Sequence, residues 1–233
     1  MKVLAIIPAR SGSKGIPGKN WKKFDGKPLI QYSIDSAIKS CYINEIIVST
    51  DSSKIVEIIS HNSLVKIHKR SKILSTDSSP VGDTILNVLS LQAKKPEFII
   101  LLQPTSPLRT GKQIDKALEL LFHNHHLNSI ISVIKMDDIH PARMYWQKHN
   151  DIVLDPILPK SETSMRQNIK PAFYRNGAIY IVRTEAFLKT KKLMCHPSGS
   201  FIMDNKYWLN IDDERDMIIA ESLIKNWKSE NYI

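Results

Sequence analysis

The chain has 233 residues, 42% hydrophobic and 24% charged, a composition typical of a globular protein that buries its own core. Its 33 basic and 23 acidic residues give a formal net charge of +10, which favours polyanionic ligands such as phosphates, nucleic acids or membrane surfaces. No apolar run approaches the roughly 20 residues that cross a bilayer, and the N-terminus lacks a secretory layout. We therefore expect a cytoplasmic protein without a membrane partner.

Two further classes are disfavoured by the residue pattern. Cys41 and Cys195 are far apart and belong to no C-x-x-C pair, so neither a zinc site nor a disulfide framework is expected. Much of the excess positive charge is lysine scattered over predicted surface helices. Because no zinc finger, recognition helix or RNA-binding signature accompanies it, we expect no nucleic-acid partner.

The N-terminal segment combines a strand with a basic loop. Residues 2–8 are apolar and β-branched, which predicts a strand of a buried parallel sheet. The glycine-containing loop that follows, residues 9–20, carries Arg10, Lys14 and Lys19 and no acidic residue. Glycines let successive N–H groups face one anion, and cations add long-range attraction, so we interpret this as a triphosphate-binding loop. An ordinary basic surface turn is the alternative, and the spacing matches neither G-x-G-x-x-G nor G-x-x-x-x-G-K-[ST].

The rest of the chain alternates strand and helix patterns. We predict strands over residues 45–50, 64–68, 98–102, 129–135, 177–182 and 208–212. We predict helices over residues 28–40, 54–61, 83–94, 112–123, 185–188 and 213–228. This alternation indicates parallel β-α-β units in an α/β domain, with the most apolar strand, 98–102, at the centre and 208–212 at an edge.

Between residues 137 and 173 the periodicity is lost over a stretch too long for a plain connection. We interpret it as an arm inserted in a single domain of residues 1–233, which serves a homodimer. In open α/β sheets, ligands bind beyond the carboxyl ends of the strands. Those ends are residues 10–20, Asp51, residues 103–109, residues 135–143 and Asp212, and we expect them to meet in one crevice.

In these segments the chain resembles the acylneuraminate cytidylyltransferases, the CMP-sialic acid synthetase family, which includes the legionaminic and pseudaminic acid enzymes. The matching motifs are IPARSGSKG (7–15), PGKN (17–20), IVSTD (47–51), KR (69–70), LSTDSS (74–79), LQPTSPLR (102–109), HP (140–141), RQ (166–167), NGAIY (176–180) and ID (211–212). They keep the order and spacing of the family over nearly the whole chain, and LQPTSPLR is highly specific.

The resemblance implies a three-layer, Rossmann-like fold with a mostly parallel sheet, of the nucleotide-diphospho-sugar transferase type. It also implies a reaction in which CTP and a nine-carbon 2-keto sugar acid give CMP-sugar and pyrophosphate, with Mg²⁺. Such a reaction needs in-line positioning and charge stabilisation more than a protein nucleophile. The catalytic residues we expect are Arg10, Lys19 and Asp212.

The expected nucleotide site draws on the first loop and on the segment after residue 69. Its predicted members are Ala9, Arg10, Ser11, Gly12, Lys14, Lys19, Asn20, Arg70 and Ser79. Ser79 has an alternative role as a helix cap, and the two interpretations stay open. We interpret Asp51 as a helix N-cap, because an acid beside a triphosphate would repel it unless a metal intervened.

The expected sugar site consists of Gln103 and of arginines that would form bidentate hydrogen bonds with the substrate carboxylate. By the resemblance these are Arg143, Arg166 and Arg175, of which Arg175 is offset by one residue in some family members. Because they lie in or beside the arm, they are candidates to act across a dimer interface.

The expected metal site departs from the family pattern. The family usually shows Asp-x-Asp near the C-terminus, whereas this chain has Asn210 and Asp212. An amide oxygen also coordinates a cation, but one negative charge is missing. We therefore expect Asp212 as the principal Mg²⁺ ligand, with Asn210 as a doubtful second and with capping of the last helix as the competing role of Asp212.

Three alternatives remain at this point. One is a Kdo-type or other sugar nucleotidyltransferase, although the G-x-G-T-R loop of the hexose-phosphate class is absent. Another is a non-catalytic CTP-binding protein in which Asn210 marks a lost metal site. A basic nucleic-acid module is a distant third.

Overall fold

The computed structural model describes residues 1–13, 15–136, 139–147 and 152–231, with the backbone alone at Arg166. Its strands are β1 (Val3–Pro8), β2 (Lys23–Phe24), β3 (Lys27–Pro28), β4 (Glu45–Thr50), β5 (Val65–Lys69), β6 (Phe98–Leu101), β7 (Ser129–Met136), β8 (Tyr145–Gln147), β9 (Leu154–Pro156), β10 (Ala172–Arg183) and β11 (Ser198–Met203). Its α-helices are α1 (Leu29–Ile38), α2 (Ser53–Ile59), α3 (Val81–Ser90), α4 (Gly111–His123), α5 (Thr184–Thr190) and α6 (Glu214–Asn231).

Seven strands form one sheet in the order β11, β7, β10, β6, β1, β4, β5. All of them run in the same direction except β10, which is antiparallel to both of its neighbours. β6 is the middle strand, as its continuous apolar run predicted. The pairs β2–β3 and β8–β9 are separate two-stranded hairpins.

Helices cover both faces of this sheet, because successive strand side chains point to opposite faces. Val3, Ala5 and Ile7 of β1 pack in one cluster with α1, α2 and α4. Leu4 and Ile6 pack in a second cluster with α3 and α5. The predicted three-layer α/β fold with a mostly parallel sheet is therefore confirmed. A third cluster joins the apolar face of α6 to the first loop and to the segment that contains Leu209 and Ile211.

One predicted strand is wrong. Residues 208–212 form no strand, and the edge beside β7 is occupied by β11 instead. The alternation of buried Leu209 and Ile211 with polar neighbours imitates a strand, but these two side chains pack against α6. β11 escaped prediction because its glycine and serines give it little apolar pattern.

Smaller differences concern element ends. α3 stops at Ser90 rather than at residue 94, and β10 begins five residues before the predicted 177. A bulge between Arg175 and Tyr180 interrupts the pairing of β10 with β7, which hid the first half of this strand from the periodicity.

The segment between β7 and β10 is where we predicted an arm, and we call it the arm below. Within its described residues, β8 and β9 form a short hairpin and the rest consists of 3₁₀ turns and irregular chain. Elsewhere, none of the helices in the described part of the chain combines the length and apolar character needed to cross a membrane.

Candidate active site

A cleft of about 580 Å³ opens beyond the carboxyl ends of β1 and β6. Its lining residues are Pro8, Arg10, Ser13, Gly15, Lys19, Asn20, Gln103, Pro104, Thr105, Asn210 and Asp212. Three segments that are distant in sequence meet here, as the strand-end argument predicted. Of the described residues between 135 and 143, none lines this cleft.

Lys19 joins the first loop to the segment around Asp212. It lies in a 3₁₀ turn and only 8% of it is exposed. Its Nζ donates to the carbonyl of Ile211 at 2.7 Å and to Oδ1 of Asp212 at 3.0 Å. A lysine held in this way keeps its ammonium group at one place on the cleft wall, where a phosphate oxygen would find a fixed partner.

Arg10 is the other described cation of the loop that lines the cleft. Its guanidinium forms an ion pair with Asp77, and both side chains are partly exposed. Asp77 lies in the polar segment between β5 and α3, so this contact closes that segment over the first loop. Each of the two described cations of the loop is thus matched to a carboxylate, Arg10 to Asp77 and Lys19 to Asp212.

The loop between them is braced by hydrogen bonds. Asp51 accepts from the backbone N–H of Ser11 at 2.7 Å and from its hydroxyl at 2.6 Å. The buried Asn20 donates from Nδ2 to the carbonyl of Arg10 at 3.0 Å. Our interpretation of Asp51 as an N-cap is wrong, because Ser52 caps α2 and leaves the Asp51 carboxylate to orient the loop.

Gly15 allows the loop to touch the segment around Asp212. A Cβ at Gly15 would lie 1.9 Å from the carbonyl oxygen of Asp212. Only glycine permits such an approach of two backbones. Gly12, in contrast, has nothing within 4 Å of the position of a Cβ, so the space above it is open. Lys14, predicted to bind the nucleotide, lies outside the described residues.

Asn210 and Asp212 both face the cleft, with Ile211 buried between them. Nδ2 of Asn210 donates to Oδ2 of Asp212 at 2.5 Å. The Asp212 side chain is 65% exposed, and the cap of α6 is made by its neighbour: Oδ1 of Asp213 accepts from the N–H of Asp216 at 3.0 Å. The carboxylate of Asp212 is therefore not used as a helix cap.

Gln103 borders a second close approach. Gly177, at the bulge of β10, has a φ of +78°, and a Cβ there would lie 3.1 Å from Oε1 of Gln103. The hydroxyl of Ser106 and Oδ1 of Asn210 lie around the same point. The bulge thus brings the backbone of β10 against the polar groups of the cleft, a placement that bulges often have beside active sites.

A family model described as "Cytidylyltransferase" matches residues 4–197 of this chain. This chain belongs to the cytidylyltransferase family. An N-acylneuraminate cytidylyltransferase of Streptococcus agalactiae is 34% identical over 94% of this chain and 52% of its own length. A CMP-N,N'-diacetyllegionaminic acid synthase of Legionella pneumophila is 32% identical over 97% of both chains, and a pseudaminic acid cytidylyltransferase of Campylobacter jejuni is 29% identical over 97% of both.

The chain thus spans about half the length of the streptococcal protein and nearly the whole length of the other two. Among solved structures, a CMP:2-keto-3-deoxy-manno-octonic acid synthetase complexed with CTP aligns over 97% of this chain and 99% of that chain. The TM-score is 0.73 and the identity 16%, so this likeness bears on the fold alone.

Five of the residues predicted to bind the nucleotide lie outside the lining of the cleft: Ala9, Ser11, Gly12, Arg70 and Ser79. The N–H of Ala9 donates to the carbonyl of Ser49 at 2.9 Å, which continues the sheet and occupies the donor. Arg70 donates to the hydroxyl and carbonyl of Ser49 at 3.2 and 2.9 Å. Burial lowers the pKa of Arg70, and the nearby Asp51 opposes this shift. Ser79 does not cap α3, because Pro80 occupies the N-cap position without a side-chain bond.

Two of the predicted sugar arginines, Arg143 and Arg175, do not line the cleft. Nη1 and Nη2 of Arg143 donate to the carbonyls of Glu162 and Ser164, both at 2.7 Å, and so hold the arm together. Arg175 is exposed and lies over Tyr180 and beside Met194. Arg166 lies in a 3₁₀ turn, and its side chain is outside the described residues.

Several residues of the site were not predicted. Ser13, Pro104 and Thr105 line the cleft, and Asp77 pairs with Arg10. Asp77 lies within the family motif at residues 74–79, which is the signal that would have singled it out. The role of Gly15 had no such signal, because a close approach between residues 15 and 212 depends on the tertiary fold.

Proposed function

We propose that this chain transfers the CMP group of CTP to a nine-carbon 2-keto sugar acid of the sialic, legionaminic or pseudaminic type. The anomeric hydroxyl of the sugar loses its proton to solvent as its oxygen forms a bond to the α-phosphorus, and the bond from that phosphorus to the oxygen that bridges to the β-phosphorus breaks. Pyrophosphate leaves with the electron pair of that bond. The names of the relatives, which cover these three sugar types, support this substrate class.

The observation that carries the proposal is the meeting of Lys19, Gln103 and Asp212 in one cleft with the basic loop. Transfer between phosphate groups depends on fixed cations along the path of the triphosphate and on a separate place for the acceptor. The first loop supplies the cations, whereas Gln103 and the residues around Gly177 border the side where the sugar would bind.

The ion pairs of the loop indicate which carboxylates a bound nucleotide would replace as partners of the two cations. A triphosphate carries more charge than either Asp77 or Asp212, so it would replace them as the partner of Arg10 and Lys19. Loss of the Arg10–Asp77 ion pair would remove one contact of the segment after β5, which carries Arg70 and Ser79. Release of Lys19 would free Oδ1 of Asp212, while Oδ2 would still accept from Nδ2 of Asn210.

The residues around Asp212 fit a magnesium ion of the usual nucleotide-bound kind. Mg²⁺ takes oxygen ligands, keeps several waters and is held by one or two carboxylates together with substrate phosphates. Asp212 offers an exposed carboxylate. Asn210 directs Nδ2 to Asp212 and accepts at Oδ1 from Ser106, so its amide would have to turn over to place its oxygen beside the same ion. When bound, the ion would neutralise charge on the triphosphate. The described residues contain no cluster of three or more His, Cys, Asp or Glu that would hold a metal alone.

We expect Asn210→Asp to lower the Mg²⁺ concentration at half-maximal activity, because a second carboxylate adds one negative charge to the site. Without metal, the same change removes the bond from Asn210 Nδ2 to Asp212 and puts two carboxylates side by side. We therefore expect a lower melting temperature without Mg²⁺ and CTP, and a larger rise when both are added. Activity and thermal unfolding against Mg²⁺ measure the two effects; an unchanged midpoint would contradict the prediction.

The function itself is tested by pyrophosphate release from CTP with each of the three sugar acids. We expect release with one of them, and none when ATP or GTP replaces CTP. Kdo serves as the comparison acceptor. If pyrophosphate is released with Kdo and with none of the three acids, the proposed substrate class is wrong and the chain is a Kdo-type enzyme. CTP binding without release from any acid would favour a non-catalytic CTP-binding protein.

We propose further that the arm holds two copies of the chain together. Its described residues expose large apolar side chains, among them Trp146 (67% exposed), Ile152 (94%) and Leu154 (54%). Phe173 and Tyr174, where the arm joins β10, add two half-exposed aromatic rings. Several large apolar side chains exposed along one segment indicate an interaction surface, and a second copy is the partner that we propose.

We expect the wild-type chain to have twice its 26.6 kDa mass in solution, and Trp146→Glu with Leu154→Glu to have the mass of one chain. Light scattering after size-exclusion chromatography measures this. Leu91→Glu is the matched control, because Leu91 is 70% exposed but lies at the end of α3, away from the arm. A monomeric wild-type chain would refute the dimer, and a monomeric variant with full activity would refute any role of arm arginines across the interface.

A further inference from the structure

Arg109 is a fully buried arginine, with only 1% of its surface exposed. Its Nη1 donates to the carbonyls of Gln103 and Ser106 at 2.9 and 2.5 Å, and its Nη2 donates to the hydroxyl of Ser33 at 2.5 Å. No carboxylate among the described residues pairs with it, and its Nε has no partner there. Burial lowers the pKa of the guanidinium to about 9, so it remains charged at neutral pH.

A buried charge without a counterion is costly, and it persists only where the surrounding dipoles replace water. Here those dipoles belong to one short turn. Gln103 and Ser106 are its first and last residues, and the N–H of Ser106 donates to the carbonyl of Gln103 at 3.3 Å. Both carbonyls face the same nitrogen of Arg109. The guanidinium therefore fixes the shape of the turn from below, while Gln103, Pro104 and Thr105 face the cleft above it.

The same turn holds the candidate metal segment. The carbonyl of Thr105 accepts from the N–H of Ile211 at 2.8 Å, between Asn210 and Asp212. The carbonyl of Ile211 in turn accepts from Nζ of Lys19. A displacement of the turn would therefore shift the segment of Asp212 through the hydrogen bond between Thr105 and Ile211. It would shift Lys19 through the hydrogen bond between Ile211 and Lys19.

We propose that Arg109 is a positioning residue that sets the place of Gln103 and, through Thr105 and Ile211, the place of Asp212. This inference rests on the proposed function for its kinetic consequences only. Lysine cannot reproduce the effect, because its single ammonium group cannot reach two carbonyls and a hydroxyl in the planar arrangement of a guanidinium.

The test compares Arg109→Lys with Arg183→Lys. Arg183 also donates to backbone carbonyls, those of Leu127 and Leu121. It lies away from the cleft, because in the sheet it is the strand partner of Phe98, at the start of β6, whereas the cleft lies beyond the end of β6. For Arg109→Lys we expect kcat/KM for the sugar acid to fall about 100-fold, with the CTP dissociation constant changed about threefold at most. For Arg183→Lys we expect both constants to stay at wild-type values even if the melting temperature falls.

Hydrogen exchange on the ligand-free chain gives a readout that needs no substrate. We expect the amides of Ile211 and Ser106 to exchange faster in Arg109→Lys and at the wild-type rate in Arg183→Lys. If Arg109→Lys does not fold, Ser33→Ala takes its place, because Ser33 accepts from Arg109 and also donates to Gln103 at 3.3 Å. Wild-type exchange at Ile211, or equal losses of kcat/KM in both arginine variants, would overturn the inference. A wild-type chain that releases no pyrophosphate would refute the proposed function alone.

Discussion

Lys19→Met is expected to lower kcat/KM by about 10²- to 10³-fold, equivalent to about 3–4 kcal/mol of transition-state stabilisation. Lys19 is the buried cation of the first loop, and its ammonium group lies between the loop and Asp212. Its removal deprives the leaving pyrophosphate of a fixed positive charge. It also leaves the carbonyl of Ile211 without its donor, so a loss of about 1–3 kcal/mol in the free energy of unfolding should accompany the kinetic effect.

Lys22→Met provides the matched control for this loss. Lys22 lies three residues further on and pairs with Glu214 at 2.9 and 3.2 Å on the surface. Exposed pairs contribute about 0–1 kcal/mol, so we expect little change in stability and none in kcat/KM. Steady-state kinetics of both variants at temperatures where both are folded separate catalysis from stability. Lys19→Met with a kcat/KM within about threefold of wild type would contradict the assignment of Lys19.

The fold was predictable because its signals are local. Continuous apolar runs such as residues 45–50 and 98–102 predict buried parallel strands, and the helices between them follow from their spacing. The strand at 208–212 was mispredicted because alternation reports which residues are buried and not what covers them. Leu209 and Ile211 are indeed buried, but α6 covers them. For that reason the predicted orientation of Asn210 and Asp212 toward the cleft holds although the strand does not exist.

The part of the site that lies at strand ends was also predictable. Arg10, Lys19 and Gln103 line the cleft because they follow the carboxyl ends of β1 and β6, which meet at one edge of the sheet. Asp212 follows no strand, and its segment is held there by the hydrogen bond from the N–H of Ile211 to the carbonyl of Thr105. What the sequence lacks is the direction of long side chains in irregular chain. Arg143 and Arg175 were placed by resemblance, and in this structure their guanidinium groups contact the carbonyls of the arm and the ring of Tyr180.

Contacts between distant loops could not be predicted from the hydrophobic pattern or from position at a strand end. Asp51 looked like a cap from its local sequence, yet its carboxylate binds Ser11, 40 residues away. Arg109 is charged and would be expected on the surface, yet it is buried under the turn that it stabilises. Both residues bind backbone groups together with one serine hydroxyl. Every residue type supplies such backbone groups, so the sequence does not show which residues will be the partners.

Gly15→Ala is expected to lower kcat/KM by about 100-fold, because a displacement of about 1 Å at an active site costs that much. The added Cβ would lie 1.9 Å from the carbonyl oxygen and 3.1 Å from the carbonyl carbon of Asp212. Both atoms belong to the backbone, so no side-chain rotation relieves the collision. Either the first loop or the segment that carries Asp212 must move away, and the contact between Lys19 and Asp212 would lengthen with it.

Gly12→Ala in the same loop distinguishes this collision from a general intolerance of the loop to alanine. A Cβ at Gly12 meets nothing within 4 Å, and Gly12 is not among the glycines with positive φ. We therefore expect Gly12→Ala to unfold at the wild-type temperature and to lose much less activity than Gly15→Ala. Thermal unfolding, steady-state kinetics and the Mg²⁺ midpoint of both variants make the comparison. Equal losses of kcat/KM in the two variants would mean that the loop acts through its flexibility and not through its contact with Asp212. If Asp212 is displaced, the Mg²⁺ midpoint should rise in Gly15→Ala alone.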